Sequence, residues 1–231
     1  MIKGFSLVEM LVVLTLTCLF STVVIAHIVG ANRCSQKIIN NQQRMEAIFH
    51  TVDSIRSDLT KCGMKLREAS VRFGFPLFEH SEQSFKVLYG TWEEPLLTEG
   101  WYGGKEISVN RNDFFAKQKD ILIYDAERGN YEFNVIGGVS GNTLLLNYGL
   151  KNDYSKNSTA VVLKYVEYKI YPTEKALKRK VNNGYFQPLL EEVTDFHVQF
   201  YPESISVLYR FEINNKEQLR GYIFLPNMVE K

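Results

Sequence analysis

The sequence predicts an α+β protein: a long N-terminal helix, half of it membrane-spanning and half amphipathic, packed on a C-terminal antiparallel β-sheet head. Three observations carry that reading. The stretch from Phe5 to Val29 is almost unbroken apolar sequence, the apolar pattern then continues at helical spacing to Phe73, and from Asp120 onward short apolar segments alternate with Gly, Asn and Asp.

The first element is the apolar run, FSLVEMLVVLTLTCLFSTVVIAHIV. About 20 apolar residues suffice to cross a hydrocarbon core, so this run has spanning length. A secretory signal peptide would carry a basic start, a shorter apolar stretch and a small-residue cleavage site behind it. Only Lys3 precedes the run as a charge, and no Ala-x-Ala site follows. Glu9 interrupts the run near its start. An unpaired carboxylate in lipid costs about 3 kcal/mol or more, and no Lys, Arg or His occupies the following turns, so a partner on another molecule is the economical expectation. Ser6-Leu7-Val8-Glu9 also fits a capping box, in which the Ser6 hydroxyl and the Glu9 carboxylate satisfy the first backbone amides.

The second element is an amphipathic stem. Ile38, Met45, Val52, Leu59, Leu66 and Phe73 recur every seventh residue, with Ile48, Ile55, Cys62 and Ala69 between them. No Pro interrupts it, which predicts one helix from Phe5 to Val71 that stops near Gly74-Phe75-Pro76. A heptad stripe serves either a coiled-coil partner or the protein's own sheet, and the strands that follow favour the sheet.

Phe85 to Lys119 reads as loops with short strands, rich in aromatic and Gly residues. Strands are expected at Asp120–Ala126, Tyr131–Gly137, Asn142–Tyr148 and Ala160–Tyr171. Phe196, Val198 and Phe200 share one face of a later strand, as do Ile205, Val207, Tyr209, Phe211 and Ile213. Pro202-Glu203-Ser204 separates those two strands, and Asn183-Gly184 marks a turn.

The string Lys3-Gly4-Phe5-Ser6-Leu7-Val8-Glu9-Met10-Leu11 resembles the cleavage and methylation motif of type IV pilins and type II secretion pseudopilins. The resemblance implies a leader of residues 1–4, a transmembrane half over 5–30, an amphipathic stem over 31–73 and a β-rich head over 74–231. It further implies that a prepilin peptidase cuts between Gly4 and Phe5 and methylates the new amine of Phe5. Glu9 would then stand about one turn from that amine, and the Glu9 of one subunit can neutralise the Phe5 amine of its neighbour. Desolvation offsets much of such an attraction, so its role is register more than net stability.

Tyr165-Val166-Glu167-Tyr168, Leu177-Lys178-Arg179 and Gln187 through Phe196 are similar to the C-terminal half of PilW-like minor pilins and J-type minor pseudopilins. Asp58-Leu59-Thr60-Lys61-Cys62-Gly63-Met64 resembles a stem stretch of the PilW-like group, with Thr60, Cys62 and Met64 departing from its Arg, Ala and Tyr. The implied role is a minor pilin-like structural subunit that enters or primes a type IV pilus, with a minor pseudopilin or a membrane-tethered extracytoplasmic binding module as alternatives. The implied partners are the prepilin peptidase, other pilins or pseudopilins met through the N-terminal helix, and the bacterial inner membrane. Lys3 on one side and Arg33 and Lys37 on the other leave orientation undecided by charge, and the resemblance implies a cytoplasmic N-terminus with an extracytoplasmic head.

Other functions find little support. With 27 basic and 26 acidic residues and a net charge of +1, the chain lacks the cationic excess that displaces counterions from a nucleic acid. His27, His50, His80 and His197 are scattered and form no ligand pair, and the chain reads as a non-enzyme without cofactor or metal. Asp120, Asp125, Glu127 and Asn130 are oxygen donors, but their spacing fits no calcium loop and reads as a strand-turn-strand face. Gly137-Gly138-Val139-Ser140-Gly141 lacks the spacing of a nucleophile elbow and reads as a turn. Asn157-Ser158-Thr159 matches a glycosylation triplet that chance also produces. Cys18, Cys34 and Cys62 are expected as free thiols, because on one helix the last two would stand about 42 Å apart.

Overall fold

A computed structural model describes residues 7–214 and 217–229 and confirms the α+β class. The chain divides into two compact units, one up to His50 and one from Thr51 onward.

Helix α1 (Leu7–Lys61) supplies all the described structure of the first unit. Leu7, Leu11, Leu14, Phe20, Val23 and Ile28 are each more than half exposed, on every side of the helix. Three hydroxyls in this stretch bond to the helix's own backbone: those of Thr15, Thr17 and Thr22 donate to the carbonyls of Leu11, Val13 and Cys18 at 3.0, 2.7 and 2.8 Å. The helix is long and apolar enough to cross a membrane.

The second unit is mostly sheet. Its strands are β1 (Phe78–Ser81), β2 (Ser84–Pro95), β3 (Glu106–Ser108), β4 (Asp120–Asp125), β5 (Asn130–Ser140), β6 (Thr143–Leu146), β7 (Thr159–Tyr171), β8 (Ala176–Val181) and β9 (Gln187–Glu191). They form one antiparallel sheet in the order β1-β2-β7-β4-β5-β6-β3. Strand β7 is its spine, pairing along one edge with β2 and along the other with β4 and then β8, which in turn pairs β9. Strands β10 (Val193–Tyr201), β11 (Ser206–Ile213) and β12 (Glu217–Phe224) make a separate three-stranded antiparallel sheet, followed by a short 3-10 helix at Pro226–Met228.

The period-two alternation sorts the core. On one face Ile121, Ile123, Ala160 and Val162 join Leu96, Val109, Ile136 and Tyr154 in a buried cluster. Phe85 and Tyr168 stack on that face at 4.7 Å, with Phe196 of the small sheet 6.1 Å from Phe85. On the other face stand Leu122, Tyr124, Phe133, Leu163 and Tyr165. Helix α2 (Arg67–Phe73) covers part of it, with Phe73 stacked on Tyr131 at 4.8 Å and edge-on to Tyr124 at 6.2 Å.

The expected strands from Asp120 to Tyr171 appear within a few residues of their anticipated bounds, and β10 and β11 pair across the Pro202–Ser204 break. Three expectations are corrected. The stretch from Phe85 does not open as a loop, because Phe85 to Pro95 belong to the long central strand β2, whose Phe85, Val87 and Tyr89 are buried; from Leu96 to Lys119 it is loop around the short strand β3, as expected. Gly137 to Ser140 belong to β5, and the turn is confined to Gly141-Asn142. The helix does not continue to Val71: it breaks after Lys61 and resumes as α2, ending at Gly74 as expected.

That break has a physical cause. Gly63 takes a φ of 76°, a left-handed conformation that L side chains resist, and its N–H donates to the Leu88 carbonyl at 2.9 Å. The Met64 carbonyl accepts from Gly90 N–H at 2.8 Å, and a Cβ at Gly90 would lie 2.6 Å from Val161 Cγ1. Two glycines thus let the linker bond to the outer edge of β2, and the chain passes from the sheet face bearing Tyr168 to the face bearing Tyr124.

Candidate functional site

Of the sequence-predicted site residues, Gly4 and Phe5 lie outside the described residues, and Glu9 stands in the first turn of α1. A carboxylate there faces the positive end of the helix dipole, a favourable placement. Around it the helix presents apolar side chains only: Leu7, Val8, Met10, Leu11, Val12 and Val13 are all exposed.

The amphipathic stripe resolves into two parts. Ile38 and Met45 are about half exposed, whereas Ile55, Leu59, Cys62, Leu66 and Ala69 are buried. Within the second unit, the last turns of α1 therefore pack on the protein's own sheet, as the sheet reading of the stripe expects. Thr51 Oγ1 donates to the Leu189 carbonyl at 3.2 Å, and Asn227 Nδ2 caps the Thr60 carbonyl at 2.8 Å.

At the centre of this contact is a buried charge. Asp58 is only 3% exposed, and its Oδ2 accepts from Tyr168 Oη at 2.6 Å, Arg179 Nε at 2.9 Å and Arg179 Nη2 at 2.9 Å. Arg179 Nε also reaches Tyr168 Oη at 3.2 Å. Helix α1 is thereby locked to β7 and β8 by one carboxylate with three donors. Burial and then the Asp58 charge push the Tyr168 hydroxyl far above the ordinary tyrosine range. The same causes, in the same order, raise Tyr89 to about 12.

Sequence reading assigns Asp58 no role of its own beyond its place in the stem, and the structure supplies one. The signal was present in the spacing. Asp58 follows Ile55 by three residues and precedes Cys62 by four, so it belongs to the buried face of the helix. Asp58, Tyr168 and Arg179 fall in three separate stretches of the chain, and the fold brings them together.

Asp125, one of the oxygen donors weighed as a calcium ligand, is occupied by the protein itself. Its Oδ1 accepts from the N–H groups of Glu127 and Arg128 at 3.0 Å each, and its Oδ2 accepts from Ser155 N at 2.8 Å, Ser155 Oγ at 2.5 Å and Ser158 Oγ at 2.9 Å. Burial alone would raise this carboxyl, but the Ser155, Arg128 and Ser158 donors outweigh it and hold it well below the usual carboxylate range. The group ties the β4–β5 turn to the loop before β7. Among the described residues no cluster of three or more His, Cys, Asp or Glu side chains could hold a metal ion.

Cys62 is also structural: its Sγ donates to the Leu77 carbonyl at 3.2 Å, and burial pushes the thiol up to about 12.

No protein-family model matches the chain, and no curated protein is similar to it. Among solved structures, the tailspike of Acinetobacter baumannii bacteriophage AP22, in complex with A. baumannii capsular saccharide, aligns with 34% of this chain and 15% of its own, at 16% identity and a TM-score of 0.29. A likeness of that extent carries no argument about this chain.

Proposed function

We propose that this chain is a minor pilin-like structural subunit, cut by a prepilin peptidase between Gly4 and Phe5 and then incorporated into, or priming, a type IV pilus. The observation that carries the proposal is the motif itself. Gly4-Phe5 stands at the head of an apolar helix, Glu9 occupies the fifth position of the processed chain, and an α+β head follows. The exposed apolar side chains of α1 support it, since such a surface calls for lipid or neighbouring helices. In this reading the N-terminus is cytoplasmic, the single span lies in the bacterial inner membrane, and Glu9 sets register against the Phe5 amine of an adjacent subunit. A minor pseudopilin of a type II secretion system would use the same processing and the same helix.

The test is mass spectrometry of protein purified from a strain that contains its prepilin peptidase. An N-methylated Phe5 as first residue is expected, and protein that retains Met1 through Gly4 overturns the proposal and favours a permanent tether. Glu9→Ala is expected to leave the protein membrane-inserted but to lower its recovery in assembled filaments.

A further inference from the structure

A cavity of about 450 Å³ opens on the sheet face that α2 only partly covers. Its size falls within the roughly 300–1,000 Å³ range of small-molecule sites. Lys86 and Leu88 of β2, Leu163 and Tyr165 of β7, Asp120 of β4 and Phe133 and Val135 of β5 line it from the sheet, and Phe75, Pro76 and Leu77 close it from above. The walls are thus mostly apolar and aromatic.

Two features give the cavity a chemical preference. The first is Asp120, 7% exposed, whose neighbours are neutral: the Tyr165 hydroxyl bonds to it, and Asn183 Nδ2 lies 3.5 Å from Oδ2. Among the described residues its carboxylate makes no ion pair, so a buried negative charge faces the cavity without a salt-bridge partner. Lys86, the one cation of the lining, is engaged by Glu79 at 3.7 Å and lies over the Tyr165 ring, 5.5 Å from its centre; the Lys86 and Glu79 side chains are about half exposed and mark the rim, where a ligand cation would compete with Lys86 for that ring. The cavity therefore carries a net negative charge.

The second feature is the aromatic wall. Phe75, Phe133, Tyr148 and Tyr165 surround the space, and their ring faces attract cations. Tyr148 is 64% exposed, yet its backbone is held from both sides: Asn134 Oδ1 accepts from Tyr148 N at 3.3 Å, and Asn134 Nδ2 donates to the Tyr148 carbonyl at 2.9 Å. Glu132 extends that support by accepting from Asn134 Nδ2 at 3.2 Å, Lys151 N at 2.7 Å and Tyr154 Oη at 3.2 Å. An exposed ring on a braced backbone is the arrangement of a preformed rim rather than of a core residue.

We propose that this cavity binds a small organic cation, an ammonium or guanidinium group on an apolar body of about one aromatic ring, with the charge directed to Asp120 and the body held among Phe75, Phe133, Tyr148 and Tyr165. A neutral polyol would find few polar partners on these walls, and an anion would meet the Asp120 charge.

The test uses the full chain in lipid nanodiscs, titrated calorimetrically with phenethylammonium, its neutral isostere 2-phenylethanol and the anion phenylacetate, against empty nanodiscs. Saturable one-to-one binding is expected for the ammonium, about tenfold or more tighter than for the alcohol, with the anion weakest. Asp120→Asn is expected to remove that preference. Tyr148→Ala, at an exposed position, is expected to weaken the ammonium about threefold or more with an unchanged melting temperature, which keeps the proposal testable if Asp120→Asn does not fold. Absence of saturable ammonium binding, equal affinity for ammonium and alcohol, or unchanged binding in both variants overturns it.

Discussion

Replacing Asp58 with Ala separates a lock from a spectator charge. The substitution takes the acceptor from Tyr168 Oη, which is fully buried, and an unsatisfied buried donor costs about 1–3 kcal/mol. It also leaves the Arg179 guanidinium without its counter-charge. Breaking a buried pair from one side costs about 3–5 kcal/mol, but the Arg179 side chain is 28% exposed and water recovers part of that. A net loss of about 3 kcal/mol is expected for Asp58→Ala. For a unit of this size that corresponds to a fall of roughly 6–12 °C in Tm. Asp58→Asn keeps an acceptor for Tyr168 and loses only the charge, so about half that effect is expected. The assay is urea unfolding of the full chain in nanodiscs, followed by the fluorescence of Trp92 and Trp101, both of which report on the second unit. The double variant Asp58→Leu with Arg179→Met removes both charges and should be more stable than Asp58→Ala alone. A loss below about 0.5 kcal/mol for Asp58→Ala, or a double variant whose cost is the sum of the two single ones, refutes the lock.

The pH dependence of stability follows from the groups whose ionisation the fold shifts. Tyr89, raised to about 12, and Tyr165 and Tyr168, raised further, keep their protons in the folded state above pH 10, where the unfolded chain releases them. Their contribution is therefore complete below about pH 10 and is lost as pH rises through 12. Asp125 acts in the opposite sense, contributing above the ordinary carboxylate value near 4 and losing it as pH falls further. Unfolding midpoints across pH should show a plateau between these limits, and a midpoint that climbs above pH 10 contradicts the assignment. The thiols give a second check. Maleimide should label exposed Cys34 in the native protein and reach buried Cys62 only on unfolding, as peptide mapping of the labelled chain would show; equal labelling rates contradict the placement of Cys62 in the core.

What sequence made legible was whatever repeats along the chain. The run from Phe5 to Val29, the stripe through Ile55, Leu59 and Leu66, and the alternation of Val207, Tyr209, Phe211 and Ile213 each follow one period, and the elements formed where those periods lie. Errors arose where one residue answers to a distant segment. Gly63 lies inside the stretch expected as one helix, but the carbonyl that its N–H meets, Leu88, is far along the chain. Strand β2 was obscured by Gly90 and the bulge before Trp92, both of which serve the crossing linker. The Asp120 cavity was hidden for the same reason, since its walls come from segments spread between Phe75 and Tyr165.

The single helix α1 thus meets two different demands in succession. Its final turns have their apolar residues covered by the sheet and their buried acid answered by Arg179, so this part belongs to a folded core. The stretch from Leu7 to Val29 has apolar side chains exposed all round, and the cost of leaving that surface in water, at roughly 25 cal/mol per Å², exceeds what a small fold can offset. A helix that is apolar on every side is stable only in lipid or among other helices. The Gly63 and Gly90 crossing, the Asn227 cap and the Asp58 lock all act on the other end, where they hold the helix terminus to the sheet. Loss of the Asp58 lock should therefore loosen the second unit while leaving the helix of the first unit formed, and a variant in which that helix also melted would show that the two demands are not separable.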